Sequence, residues 1–341
     1  MRRLIALLFA VLLGSGSAQA QSPPATPSPA LDAYAKPARL VTLTDGRRIH
    51  LSCQGNGGPT VILTAGLGAW SVSWWRVHAE IGKHARTCSW DRAGFGHSDA
   101  SPAPQTLDAT TTDLEQALAA GGIKGPYVLV GHSAGAFETL RFADRHRAEV
   151  VGMVLVDPSV PEQTQKFVAT VGDIAARSEA GRLTGVGVLK TCARELEAGT
   201  LKPEAPQWKL CFPDIPSFTP SLLAAMRALD ASPARLRTQA SLNEGFTASA
   251  SAVADPNRSY GDMPLIVLTQ GSSLGLPGAT PEQTAALTEG WAKWHDDYAK
   301  LSTRGVNLIV RGAGHGIQRD KPQAVVGAVD AVLAQARAQR Q

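Results

Sequence analysis

Six short runs that read as continuously apolar, spaced by segments of helical periodicity, restrict this chain to very few architectures. They are Thr60–Thr64, Ala85–Trp90, Tyr127–Val130, Val150–Val156, Pro264–Thr269 and Val306–Val310. A strand without apolar/polar alternation has to be covered on both faces, which is the environment of a parallel sheet. Helical patterns such as Thr111–Ala120 and Ala134–Asp144 lie between the runs. That alternation predicts a wound α/β sheet. Ahead of it, Arg39–Leu43 and Arg48–Ser52 flank Thr44-Asp45-Gly46-Arg47, where Asp-Gly marks a tight hairpin. The rhythm breaks once: about a hundred residues separate Asp157 from Pro264. They are mostly helical in pattern, with Trp208, Phe212, Phe218 and Phe246 among them, and predict a lid or cap.

The amino-terminal end has another character. Arg2 and Arg3, the apolar stretch Leu4–Leu13 and the closing Ala18-Gln19-Ala20 have the form of a secretory signal cut after Ala20. Residues 21–37 are rich in Pro, Ser and Ala and read as an extended, solvated leader with no core to join. The expected organisation is therefore signal 1–20, leader 21–37, core 38–158, cap 159–261 and core 262–341. No other stretch is apolar enough to cross a bilayer, so a soluble periplasmic or secreted protein without a stable membrane anchor is expected. Removing Arg2 and Arg3 lowers the formal charge from +4 to +2, with 31 basic against 29 acidic residues. Such a balance gives no support for nucleic-acid binding. Four cysteines suit two disulfides in an oxidising compartment. They are not grouped as C-x-x-C pairs and no His stands at ligand spacing from them, which argues against a metal site.

Chemistry concentrates at Gly131-His132-Ser133-Ala134-Gly135, a G-x-S-x-G directly after an apolar run and before a helical one. A nucleophile on a sharp strand-to-helix turn sits in strained dihedrals and leaves no room for side chains beside it. Small residues two before and two after the serine relieve that crowding. The following helix turns its positive end toward developing negative charge. A serine hydroxyl needs a base, and eight histidines are available. His50, His78 and His84 lie in early segments, and His97 and His146 fall too early for the order nucleophile, acid, base. His295, in WAKWHDDYAKL, reads as packing or surface on a helix. His315 remains, in Gly312-Ala313-Gly314-His315-Gly316 just beyond the last run, where glycines let a loop carry the imidazole over the sheet edge. His132 points away from the nucleophile by the logic of the turn.

With these residues in hand, the chain resembles the α/β-hydrolase superfamily. Four motifs follow the family's order: Thr64-Ala65-Gly66, Asp91-Arg92-Ala93-Gly94-Phe95-Gly96-His97-Ser98, the serine elbow, and Gly314-His315. The resemblance covers roughly residues 40–160 and 260–340. It implies a mostly parallel, eight-stranded sheet with helices on both faces and a helical cap inserted after the sixth strand. Ser133, His315 and an acid are then the catalytic residues. The acid usually follows the seventh strand, but Gln270-Gly271-Ser272-Ser273-Leu274-Gly275 holds no carboxylate. The family's alternative, after the sixth strand, implies Asp157; Asp262 and Asp320 are more distant candidates. The oxyanion donors implied are the N–H groups of Ala134 and Leu67. The D-R-x-G-x-G-x-S run is implied to shape the pocket wall. Adjacent second and fourth strands would pair Cys53 with Cys88, leaving Cys192 and Cys211 to pair within the cap.

Serine rather than aspartate at the elbow argues against dehalogenase or epoxide hydrolase chemistry. The expected activity is hydrolysis of a carboxylic ester of a small or medium apolar substrate, with no cofactor. Trp70 and Trp74 follow the oxyanion loop and, with His132, are the candidate substrate-binding residues, although the two tryptophans also stand at core-packing spacing. A lyase or carbon–carbon bond hydrolase using the same triad is one alternative. A non-catalytic envelope binding module is another, which the intact Ser133 and His315 oppose.

Overall fold

Asp45-Gly46 turns the chain between β1 (Arg39–Thr42) and β2 (Arg48–Gln54), with Gly46 at φ +85°, a conformation that favours glycine. The structure, a computed structural model, describes residues 27–339, so the expected signal sequence lies outside the described residues. The remaining strands are β3 (Thr60–Thr64), β4 (Thr87–Trp90), β5 (Tyr127–His132), β6 (Val150–Val156), β7 (Leu265–Gln270) and β8 (Gly305–Val310). They form one eight-stranded sheet in the order β1-β2-β4-β3-β5-β6-β7-β8. Only β2 runs against its neighbours; β3 through β8 pair in parallel.

Helices cover both faces. Their order is α1 (His78–Gly82), α2 (Leu107–Ala120), α3 (Gly135–Arg145), α4 (Gln163–Val171), α5 (Asp173–Glu197), α6 (Trp208–Cys211), α7 (Pro220–Asp230), α8 (Pro233–Glu244), α9 (Phe246–Ala252), α10 (Pro281–Ala299), α11 (Ile317–Asp320) and α12 (Pro322–Ala338). Within the strands the side chains still alternate by face. Ile62, Leu129, Met153, Leu155 and Val267 pack toward α2, α3 and α10. Leu63, Val128, Val130, Val154 and Leu268 pack toward α1 and α12. Both sets are apolar because both faces are covered. β8 departs from this rule: Leu308 and Ile309 are 48% and 60% exposed, since β8 is the sheet's edge and pairs only with β7.

The cap is the helical segment α4–α9 inserted after β6, with α5 packed along α8. Cys53 and Cys88 face each other across the antiparallel β2–β4 pair and form one disulfide. Cys192 of α5 and Cys211 of α6 form the other.

The leader requires a correction. Residues Pro29–Ala35 form a 3-10 helix rather than a solvated extended stretch, and Leu31 is only 4% exposed. Leu31 packs among Trp70, Phe95, Leu222 and Met226, bridging the oxyanion side of the core to α7 of the cap. The Asp32 carboxylate accepts from the Thr219 hydroxyl at the start of α7. His97 Nε2 donates to the Tyr34 carbonyl at 2.9 Å, and the Ala38 N–H donates to His50 Nε2 at 3.0 Å. A Pro/Ser/Ala composition signalled solvation, but one leucine and one aspartate suffice to dock the segment.

Candidate active site

The elbow sits where β5 meets α3. Ser133 takes φ +52°, a left-handed conformation costly for a residue with a side chain. Its own amide is held by the Val156 carbonyl at 3.1 Å, and its carbonyl accepts from Ser159 N–H at 3.0 Å. A methyl group on Gly135 would lie 2.5 and 2.6 Å from the carbonyl oxygens of Thr64 and Ala65, and one on Gly131 would lie 2.8 Å from the Gly135 oxygen. Bare backbone at both positions is what allows the turn to close.

Asp157 directly follows β6, at φ +42°, with its carboxylate fully buried. One oxygen, Oδ2, accepts from His315 Nδ1–H at 2.6 Å. The other, Oδ1, accepts from the Gln270 N–H at 2.9 Å and from Trp291 Nε1–H at 3.0 Å. Burial works to raise this carboxyl's pKa, yet the hydrogen bond and charge of His315, with the Gln270 amide, hold it below the usual carboxylate range. A carboxylate only accepts, so Nδ1 carries a proton, and in the neutral imidazole Nε2 of His315 presents a lone pair. The His315 side chain is half exposed. Ser133, Asp157 and His315 thus gather where the carboxyl ends of β5 and β6 meet the loop after β8.

Two of the pocket residues suggested by the sequence stand elsewhere. Trp74 is 0% exposed and packs under the sheet with Val77 and Ile81, so it lines no pocket. Trp70, 8% exposed, is spent on the contact between leader, Phe95 and cap. His132 is also buried, and its Nε2–H donates to the His315 carbonyl at 2.9 Å while its ring lies 4.8 Å from that of His315. It fastens the His315 loop to the elbow.

That position makes His132 acid-sensitive. Burial pushes its pKa down to about 3, with the charges of His315 and Arg319 acting in the same direction and the bond to the His315 carbonyl and the charge of Asp157 acting against it. Burial also lowers His78 and His295. A histidine whose pKa falls on folding is protonated first in the unfolded chain. Its stability contribution is complete above the unfolded value near 6.5 and drains as pH falls toward the folded one. For His132 the drain is about 1.4 kcal/mol per pH unit below 6.5, or about 2.7 kcal/mol by pH ~4.5. Urea unfolding at pH ~7.5 and ~4.5 should show wild type losing about that much more than His132→Gln. Equal losses would refute the assignment.

Sequence reasoning placed Leu67 and Ala134 at the oxyanion site. Neither backbone N–H has an intramolecular acceptor among the described residues, and both residues wall one small cavity with Arg92, Phe137, Leu242 and Phe246. What it missed is how that loop is held. Arg92, buried, donates from Nη2 to the Ala65 carbonyl at 2.7 Å and from Nη1 to the Gly66 carbonyl at 3.0 Å. The same guanidinium meets Glu138 of α3 through Nε at 2.6 Å and Nη2 at 3.1 Å. In a trans peptide the N–H points opposite the C=O, so fixing the Gly66 carbonyl toward Arg92 aims the Leu67 N–H away from it. The adjoining Asp91 is buried and bound to His50 Nδ1 at 2.7 Å and to the Ser71 amide at 2.8 Å.

A family model described as the alpha/beta hydrolase fold matches residues 59–179. The uncharacterized protein YqjL of Bacillus subtilis is 37% identical over 117 residues, covering 34% of this chain and 46% of the relative. The chain spans less than half the length of the first curated relatives it matches. Among solved structures, a thermophilic esterase from Thermogutta terrifontis aligns with a TM-score of 0.56 at 18% identity, covering 87% of this chain and 98% of that one. The epoxide hydrolase CorEH aligns with a TM-score of 0.58 at 16% identity, over 87% and 98%. At such identities the structural likeness speaks for the fold alone. Sheet order, elbow and family match agree: this chain has the α/β-hydrolase fold.

Proposed function

We propose that the protein is a secreted serine hydrolase that cleaves carboxylic esters of small or medium apolar substrates through an acyl-enzyme on Ser133. The observation that carries this reading is the short bond from the His315 Nδ1–H to buried Asp157, beside a serine held at positive φ. His315 Nε2 takes the Ser133 Oγ proton as Oγ attacks the ester carbonyl. The oxyanion that forms is met by the Leu67 and Ala134 N–H groups. Collapse expels the alcohol, which takes the proton back from the imidazolium, and water then repeats the sequence to release the acid. A serine nucleophile forms an acyl-enzyme and sets this chain apart from carboxylate-based epoxide opening. Two disulfides support an oxidising compartment. Among the described residues no helix is long and apolar enough to cross a membrane.

A fluorophosphonate probe and a panel of p-nitrophenyl esters of increasing acyl length test the reading. Wild type should be labelled and should turn over the shorter esters, and Ser133→Ala should do neither. Labelling without turnover of any ester would move the assignment to a lyase or carbon–carbon bond hydrolase. An unlabelled protein would leave only a binding role.

A further inference from the structure

The acid follows β6 at a strained turn, and something has to hold it there. α10 supplies it. Trp291, His295 and Tyr298 stand at i, i+4 and i+7 on one helix face, all buried. Trp291 Nε1–H donates to Asp157 Oδ1 at 3.0 Å, His295 Nε2–H to the Pro158 carbonyl at 2.8 Å, and Tyr298 O–H to the Ser159 carbonyl at 2.7 Å. Three consecutive residues of the turn are thus matched by three successive donors. The ladder is backed by β7: Thr269 Oγ1 lies 2.7 Å from His295 Nδ1 and 2.6 Å from Asn307 Oδ1 of β8, with one hydroxyl proton to give to either.

We propose that Trp291, His295 and Tyr298 are positioning residues that hold Asp157 in register with His315. The proposal rests on the hydrolase reading above. None of the three touches the reacting atoms; they act through the acid. The Ser159 N–H also donates to the Ser133 carbonyl, so the same turn couples the ladder to the elbow. Trp291 has the most direct effect, because its N–H neutralises part of the charge that Asp157 directs at the imidazole. The charged or titratable groups facing Asp157 are His315, His295 and His132, and those facing His295 are Asp157, His315 and Asp296.

Three variants test this in the full chain with a p-nitrophenyl ester. Trp291→Phe keeps the ring and deletes the donor. It should lower kcat about tenfold, leave KM within about twofold, and move the acid limb of kcat/KM up by about half a pH unit. His295→Leu removes the Pro158 bond and should cost kcat about tenfold, whereas His295→Gln, which keeps an N–H donor, should stay within about threefold of wild type. Wild-type kcat and an unmoved acid limb in Trp291→Phe overturn the proposal, whatever its melting temperature. If Trp291→Phe does not fold, the His295 pair decides: equal rates in Leu and Gln overturn it. Wild type inert to esters and to fluorophosphonate would instead remove the underlying hydrolase reading.

Discussion

Asp157→Asn should lose about four orders of magnitude in kcat while unfolding at nearly the wild-type temperature. The reason lies in the donors around that carboxylate. Oδ1 accepts from the Gln270 amide and the Trp291 indole, both obligate donors. An asparagine must therefore keep its oxygen in that position and turn its NH2 toward His315. His315 Nδ1 would then have to accept, which moves the ring proton to Nε2, where the base needs a lone pair. The fold keeps both buried donors satisfied, so stability changes little. Steady-state kinetics with a p-nitrophenyl ester, together with a thermal melt, check both halves. An Asn variant within tenfold of wild type would dismiss Asp157 as the acid.

Arg92 should be the most consequential residue outside the triad. Replacing it with alanine strands Glu138 as an unpaired buried charge and frees two carbonyls, a change expected to cost about 3–5 kcal/mol of stability. Arg92→Lys separates this from catalysis. A single ammonium keeps the charge but cannot span two carbonyls and both carboxylate oxygens in one plane. The Ala65–Leu67 loop should then lose its orientation, and kcat should fall about 100-fold, the effect of a misplaced oxyanion donor. KM should stay near wild type, because the ground-state carbonyl depends little on that N–H. Urea unfolding of the alanine variant and ester kinetics of the lysine variant read the two effects. Lysine with wild-type kcat would mean that the guanidinium holds the fold only.

Much of this molecule was legible in its residues, because the signals were local. Strand runs, the Asp-Gly hairpin, the elbow and the glycine-flanked His315 each declare themselves within a few positions. The sixth-strand position of Asp157 came from the family pattern together with the lack of a carboxylate after the seventh run. The disulfide partners came from expected strand adjacency, and the structure pairs them that way. What stayed hidden depends on distant pairs. Arg92 and Glu138 are separated by 46 positions, and Trp291 meets Asp157 across 134. Nothing in WAKWHDDYAKL announces that its tryptophan, histidine and tyrosine all face one turn. The only available sign was that the three fall on one helical face. Trp70 and Trp74 misled for the converse reason, since a large aromatic near a motif looks the same whether it packs inward or meets substrate.

The docked segment Pro29–Ala35 has a practical corollary. It acts as a buckle, with one side gripping Trp70 and the other gripping α7 through Leu222 and Thr219. A shortened chain starting at Arg39 would retain every strand yet uncover that apolar seam and let α7 lift. Fusion tags and truncations should accordingly be designed to begin ahead of Pro29, and a protease cut between Ala35 and Arg39 would loosen the cap without touching a single residue of the triad.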